Sequence, residues 1–266
     1  MEEACEIARL PEELLSAALA RTSPRDACRA AALAAPAPPS SKKELFLRLS
    51  AGPALLQDKL VSVWVDRETG AKCYMLSARN LFIVWGNTPE YWTWIPLQDS
   101  RFSEGAQLRH VCWLEIRGKI HSNLLSLDTT YTAYMVFKKT DDFYGLAFPV
   151  QEASVSVGAT NLTRKVCLQH NNDDDDDDGD NDDDDDYDDC GMPENYWSMR
   201  RNGLHKENVA LPQQRTDGWM ELELGEFFKE GGEDGEVSIS LTEAKGGNWK
   251  SGLIVQGIEI RRKKSG

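Results

Sequence analysis

The sequence predicts a mainly β protein, a β-sandwich preceded by a short α-helical segment. Three observations carry this expectation. From residue 60 onward, apolar and polar residues alternate in short runs, as in Val61, Val63 and Val65, which is the period of a half-buried strand. Turn-forming residues separate these runs, and many short strands joined by turns favour a sandwich. Before residue 50 the apolar residues instead recur at helical spacing.

The helical segment spans residues 10–35. Leu10-Pro11-Glu12-Glu13 puts a proline and two acids in a first turn, where a missing N–H and negative charge are tolerated. Leu14, Leu15, Ala18 and Leu19 share one face. Ser23-Pro24-Arg25-Asp26 restarts a helix with a cap, a proline at its first position and an acid two residues later. Cys28, Ala31, Ala32 and Ala35 continue it until Pro36-Ala37-Pro38-Pro39 stops it. Ser41-Lys42-Lys43-Glu44 is a capping box for a third, short helix bearing Leu45, Phe46, Leu47 and Leu49.

Strands follow. Val61–Val65 and Cys73–Leu76 flank a turn at 66–71 that contains Gly70. Further candidates are Leu81–Trp85, Val111–Ile116, Tyr131–Phe137, Glu152–Val157, Trp219–Leu224, Glu236–Leu241 and Ile254–Ile260. This reading divides the chain into a helical segment (1–40), a linker with a short helix (41–59) and a β domain (60–266). Within that domain, residues 169–191 are low complexity and are expected to be disordered, because like charges repel and nothing apolar offsets ordering entropy.

Charge is concentrated in that loop. The chain carries a net charge of −14, and residues 173–189 alone hold fourteen aspartates without a lysine or arginine. Setting those fourteen charges aside leaves a neutral remainder, so acidity is not a property of the fold. No basic patch is evident in the sequence, which argues against nucleic-acid binding. Asp174-x-Asp176-x-Asp178-Gly179 matches the start of a calcium loop only formally. Asn181 stands where an apolar residue belongs, Asp185 replaces the bidentate Glu, and flanking helices are absent.

Six cysteines at 5, 28, 73, 112, 167 and 190 form no C-x-x-C pair. The start, Met-Glu-Glu-Ala-Cys-Glu, lacks the basic and apolar regions of a signal peptide, and no run approaches the ~20 apolar residues of a membrane span. A cytoplasmic and nuclear location with free thiols is expected, and Asn161-Leu162-Thr163, though an acceptor pattern, would stay unglycosylated there. There is no G-x-S-x-G, H-E-x-x-H or phosphate loop, and the four histidines are scattered. The expectation is no enzymatic activity and no cofactor.

The candidate site lies in Leu76–Ile95, LSARNLFIVWGNTPEYWTWI. Three of the eight tryptophans, plus Tyr91, fall within ten residues around Asn87-Thr88-Pro89. Such rings suit a flat ligand with C–H groups on its face and hydroxyls at its rim, a sugar. Trp85 ends the strand Leu81–Trp85 beside a loop, where a ring can meet a ligand. Core packing is the ordinary fate of a tryptophan in a sandwich, and it is the reading given to Trp94, Trp113, Trp219 and Trp249.

This stretch resembles the start of the tobacco-agglutinin (Nictaba) domain, the phloem protein 2 family of plant lectins. The resemblance continues through Arg109–Ile120, Thr130–Lys138, Asp217–Phe228, Gly232–Val237 and Trp249–Arg261, covering most of residues 73–262. It implies a jelly-roll-like sandwich that binds N-glycans with GlcNAc or LacNAc-type features. It further implies sugar-binding roles for Trp85 and Trp92, and acidic acceptors at Glu236 and Glu243. Strand geometry objects to that last pair. Seven residues apart in one unbroken strand, they face opposite ways, with Glu243 on the side of Val237, Ile239 and Leu241. Either the strand ends first or a bulge re-aims it.

Leu10-Pro11-Glu12-Glu13-Leu14-Leu15 and Thr22–Cys28 resemble an F-box, shortened because the second helix runs directly into Pro36-Ala37-Pro38-Pro39. The resemblance implies that Leu10, Pro11, Leu14 and Leu15 dock on a Skp-type adaptor, and through it a cullin, so that the chain recruits glycoproteins to a ubiquitin ligase. The alternatives are a nucleocytoplasmic lectin that no longer docks, or a structural phloem or interaction protein. A helical hairpin packed on its own β domain is the bland reading of the same residues.

Overall fold

A computed structural model describes residues 41–56, 58–169, 209–231, 235–245 and 247–264. Leu10, Pro11, Leu14, Leu15 and the aspartate run lie outside the described residues. The first element is α1 (Lys42–Ala51), and Ser41 caps it as expected: its hydroxyl accepts from the Glu44 N–H at 3.2 Å. Leu45, Phe46 and Leu49 are buried on one face and belong to the main core. At the other end, the Arg67 guanidinium donates to the Ser50 carbonyl at 2.7 Å, satisfying one of the orphan acceptors of a helix terminus.

Fourteen strands follow among the described residues: β1 (Ala54–Leu55), β2 (Val61–Val65), β3 (Lys72–Ser77), β4 (Phe82–Ile83), β5 (Trp92–Pro96), β6 (Glu104–Leu108), β7 (Leu114–His121), β8 (Thr129–Tyr144), β9 (Gln151–Val157), β10 (Thr160–Val166), β11 (Gln213–Gln214), β12 (Met220–Lys229), β13 (Glu236–Glu243) and β14 (Ser251–Arg262). They form two antiparallel sheets. The larger runs β1-β2-β3-β14-β8-β12-β11, with β6 added on β14 and β5 on β6; the smaller runs β10-β9-β13-β7-β4. The β-sandwich expected from the sequence is the fold of the protein.

Alternation explains how the sheets close on each other. On β7 the residues Leu114, Ile116, Gly118 and Ile120 are buried, while Arg117, Lys119 and His121 are exposed. On the adjacent β13, Val237, Ile239 and Leu241 point the same way inward. They meet Met135, Leu222, Val255 and Ile258 from the larger sheet in one continuous core. Close approach of backbone also fixes the larger sheet. A Cβ on Gly257 would lie 2.0 Å from the Leu76 carbonyl oxygen, at a register shift where β14 bends across β8. Gly70, with φ +70, closes the β2–β3 turn, and its N–H donates to the Asp66 carbonyl.

Two strand expectations are corrected. The candidate Leu81–Trp85 shrinks to Phe82–Ile83, because the chain reverses at once: Gly86 N–H donates to Ile83 O and Thr88 N–H to Trp85 O. The strand placed at Val111–Ile116 begins instead at Leu114, since Val111 is occupied in an isolated bridge with Lys250.

Candidate carbohydrate-binding site

The β4–β5 loop carries Trp85 with φ +56. The left-handed region is a genuine outlier for a bulky residue and costs about 1–3 kcal/mol. The ring is nevertheless 40% exposed, so little burial compensates the backbone. Its neighbours are aromatic. Tyr91 lies 5.2 Å away between ring centroids, tilted by 41°, and Trp113 lies 6.1 Å away, nearly perpendicular at 78°. Both separations fall in the range of favourable aromatic pairs. Trp113 is itself 45% exposed.

Trp113 was expected in the core and is not there. With β7 starting at Leu114, residue 114 points inward and residue 113 lies outside the sandwich mouth. Its indole N–H donates to Glu115 Oε2 at 3.1 Å, and the other oxygen of Glu115 pairs with Arg117. Glu115, 6% exposed, thereby fixes the Trp113 ring. The Arg117 side chain is 51% exposed and sits 5.8 Å from the ring of Phe82, another exposed aromatic. Trp85, Tyr91, Trp113 and Phe82 thus surround one charge-bearing corner of the smaller sheet. A period-two count taken from Leu114 would have found Trp113 and Glu115 on the outer face; the missing signal was where the strand begins.

Trp92 is the main correction. It is 2% exposed and belongs to the core. Its indole N–H donates to the Val84 carbonyl at 3.1 Å, and that of Trp94 donates to the Gly86 carbonyl at 2.9 Å. Both rings staple the loop that presents Trp85, and Trp92 offers no face to a ligand. Trp94, half-buried, is covered by the Arg79 guanidinium at 3.7 Å. Trp219, 1% exposed and donating to Asp99 O at 2.9 Å, is structural as expected. Trp249, also expected inside, is 48% exposed and lies against His110 at 4.5 Å.

The two glutamates part company. β13 continues unbroken through residue 243, so Glu243 falls on the core side, as strand geometry requires. It is 4% exposed and pairs with Lys250, whose side chain is fully enclosed; Glu243 Oε1 also accepts from the Lys245 N–H at 3.1 Å. Lys250 Nζ donates to the carbonyls of Asn248 at 2.7 Å and Cys112 at 3.0 Å. Glu243 is therefore a core ion-pair partner and no sugar acceptor. Glu236 is exposed but pairs with Lys119 at 2.7 Å and sits opposite His121. The Trp85 loop joins β7 at the other end, where Val84 N–H donates to Glu115 O. Six residues of strand separate 115 from 121, roughly 20 Å. The structure does not bring Glu236 to Trp85.

A family model for phloem protein 2 matches residues 71–262. The chain belongs to the phloem protein 2 family. Among similar proteins from Arabidopsis thaliana, F-box protein PP2-B10 is 40% identical over 94% of this chain and 92% of its own length. F-box protein PP2-B1 is 37% identical over 96% and 90%. F-box protein At2g02240 is 38% identical over 96% and 80%. In this phloem protein 2 chain the matched region spans both sheets, and it includes the whole aromatic corner from Phe82 to Arg117.

Proposed function

We propose that this protein is a non-catalytic, glycan-recognising substrate receptor of a Skp–cullin–F-box ubiquitin ligase, acting in cytoplasm and nucleus. The observation that carries the glycan half is the Trp85–Tyr91–Trp113 cluster, in which Trp85 and Trp113 are exposed and Trp85 is held in a costly backbone conformation. Sugar rings of N-glycans, with GlcNAc or LacNAc-type features, stack on these indoles. Arg117 supplies donors to hydroxyls at the rim. Stacking contributes ~0.5–1.5 kcal/mol and each charge-assisted hydrogen bond ~1.5–3, so one site reaches micromolar-to-millimolar affinity and several sites are needed for avidity. The ligase half is supported by the names of the relatives, F-box proteins aligned over nearly the whole chain, and by the Leu10-Pro11 and Leu14-Leu15 pattern.

A glycan array probed with the full chain tests the first half. Trp85→Ala and Trp113→Ala are expected to lose at least about tenfold in apparent affinity, a loss of ~1.4 kcal/mol, while Glu236→Gln is unchanged. Undiminished binding by both tryptophan variants rejects this site. Co-purification of the full chain with a Skp-type adaptor tests the second half, with Leu14→Asp expected to abolish it. An intact chain that retains glycan binding but never captures the adaptor is a free lectin.

A further inference from the structure

A half-open cavity of about 550 Å³ lies at the end of the sandwich opposite the aromatic corner, its lining including Ser126, Asp128, Thr130, Arg262, Lys263 and Lys264. Three consecutive cations, Arg262, Lys263 and Lys264, line this space, with Asp128 the carboxylate among the lining residues and Glu68 and Glu226 beside it. Their compensation is incomplete. Lys263 is paired, with Glu226 at 2.7 Å. The Arg262 side chain is only 24% exposed, yet among the described residues its ion-pair contact is Glu68 at 3.7 Å, a side chain that is itself 81% exposed. A guanidinium that has lost most of its water needs a close anion, and an exposed carboxylate at that distance is a weak one.

We propose that this cavity binds a small phosphomonoester. Arginine presents a planar fork that grips phosphate oxygens in pairs, and Lys264 adds a second charge. Thr69, Ser126 and Thr130 complete the lining, although the Thr69 hydroxyl donates to Asp66 and that of Ser126 accepts from the Lys72 N–H, so the charged groups carry the recognition. The space is large enough for an ester as well as the bare ion. The site is independent of sugar stacking on the tryptophans. Arg262 ends β14 and Ser251 begins it, so roughly 30 Å or more of strand separates the cavity from the Trp113 loop.

Calorimetric titration of the full chain tests this, using a hexose 6-phosphate, the unphosphorylated hexose and inorganic phosphate. The hexose phosphate is expected to saturate, at least about tenfold more tightly than inorganic phosphate, and to weaken as salt rises. Arg262→Gln and Lys264→Gln are each expected to weaken it by about tenfold or more, with Trp85→Ala without effect. Lys264 follows the last strand, so its variant keeps the test decisive should Arg262→Gln fail to fold. The proposal is overturned by absence of saturation, by binding that survives Lys264→Gln, or by inorganic phosphate binding as tightly as the ester.

Discussion

Truncating Glu243 to alanine should destabilise the sandwich strongly. Its partner Lys250 has no exposed side-chain surface, and without the carboxylate its ammonium would keep only the carbonyls of Asn248 and Cys112. Removing one member of a buried pair costs about 3–5 kcal/mol, because the other charge stays buried without compensation. A domain of this size holds about 5–15 kcal/mol in total, so the loss runs from about a fifth of the stability to all of it. In thermal unfolding this corresponds to a fall of roughly 6–20 °C in Tm. In urea the midpoint should drop with an unchanged slope. The double variant Glu243→Met with Lys250→Met removes both charges and should recover most of the loss. If Glu243→Ala unfolds within ~1 kcal/mol of wild type yet loses glycan binding, the burial argument is wrong and the carboxylate serves the ligand.

Other predictions follow from ionisation and packing. Burial pushes Glu221 upward, but hydrogen bonding and charge from Arg261, with Arg215, override it and hold the carboxyl below its ordinary value. That stability is present above the unfolded carboxylate pKa and is lost as pH falls through the folded one, so Glu221→Gln should flatten the acid limb of a stability–pH curve. Burial pushes the Cys73 thiol from 9.0 and the Tyr131 phenol from 10.0 up to about 12 each. Both favour the folded state below their unfolded values, so stability should fall steeply between pH 9 and 12, and Cys73→Ala should delay that fall in circular dichroism. Gly257→Ala drives a Cβ into the Leu76 carbonyl and should leave little folded protein, measured by soluble yield and near-ultraviolet signal.

The sandwich was legible because two-residue alternation is a local signal, and it survives wherever one face is buried. The Ser41 cap was legible for the same reason. Strand ends were not, and the candidate site lies at strand ends. Trp113 was read as core because its strand was begun at Val111, whereas the bridge from Val111 to Lys250 is a contact between residues far apart in sequence. Glu243 shows the reverse case. Period-two geometry alone placed it on the inner face, and the fold agrees. What the sequence could not supply was Lys250, the distant partner that makes a carboxylate tolerable there.

Trp85 and Trp92 lie seven residues apart and meet opposite fates, and the turn between them is the cause. The left-handed backbone at Trp85 and the hydrogen bonds that follow it reverse the chain, leaving the first ring outside and carrying the second into the core. Loss of glycan binding on mutating Trp92 would therefore not show that it touches sugar, since its indole anchors Val84, the residue before Trp85. Stability separates the two roles. Trp92→Ala empties a core site and should cost about 3–5 kcal/mol. Trp85→Asn relieves a left-handed aromatic, and that gain roughly offsets the lost pairs with Tyr91 and Trp113, for a net change within ~1 kcal/mol. Both variants should bind glycans poorly, but only Trp92→Ala should unfold early in urea. Were Trp85→Asn the more damaging of the two to stability, the exposed ring would be holding the loop together, and the case for a sugar platform would lose its physical basis.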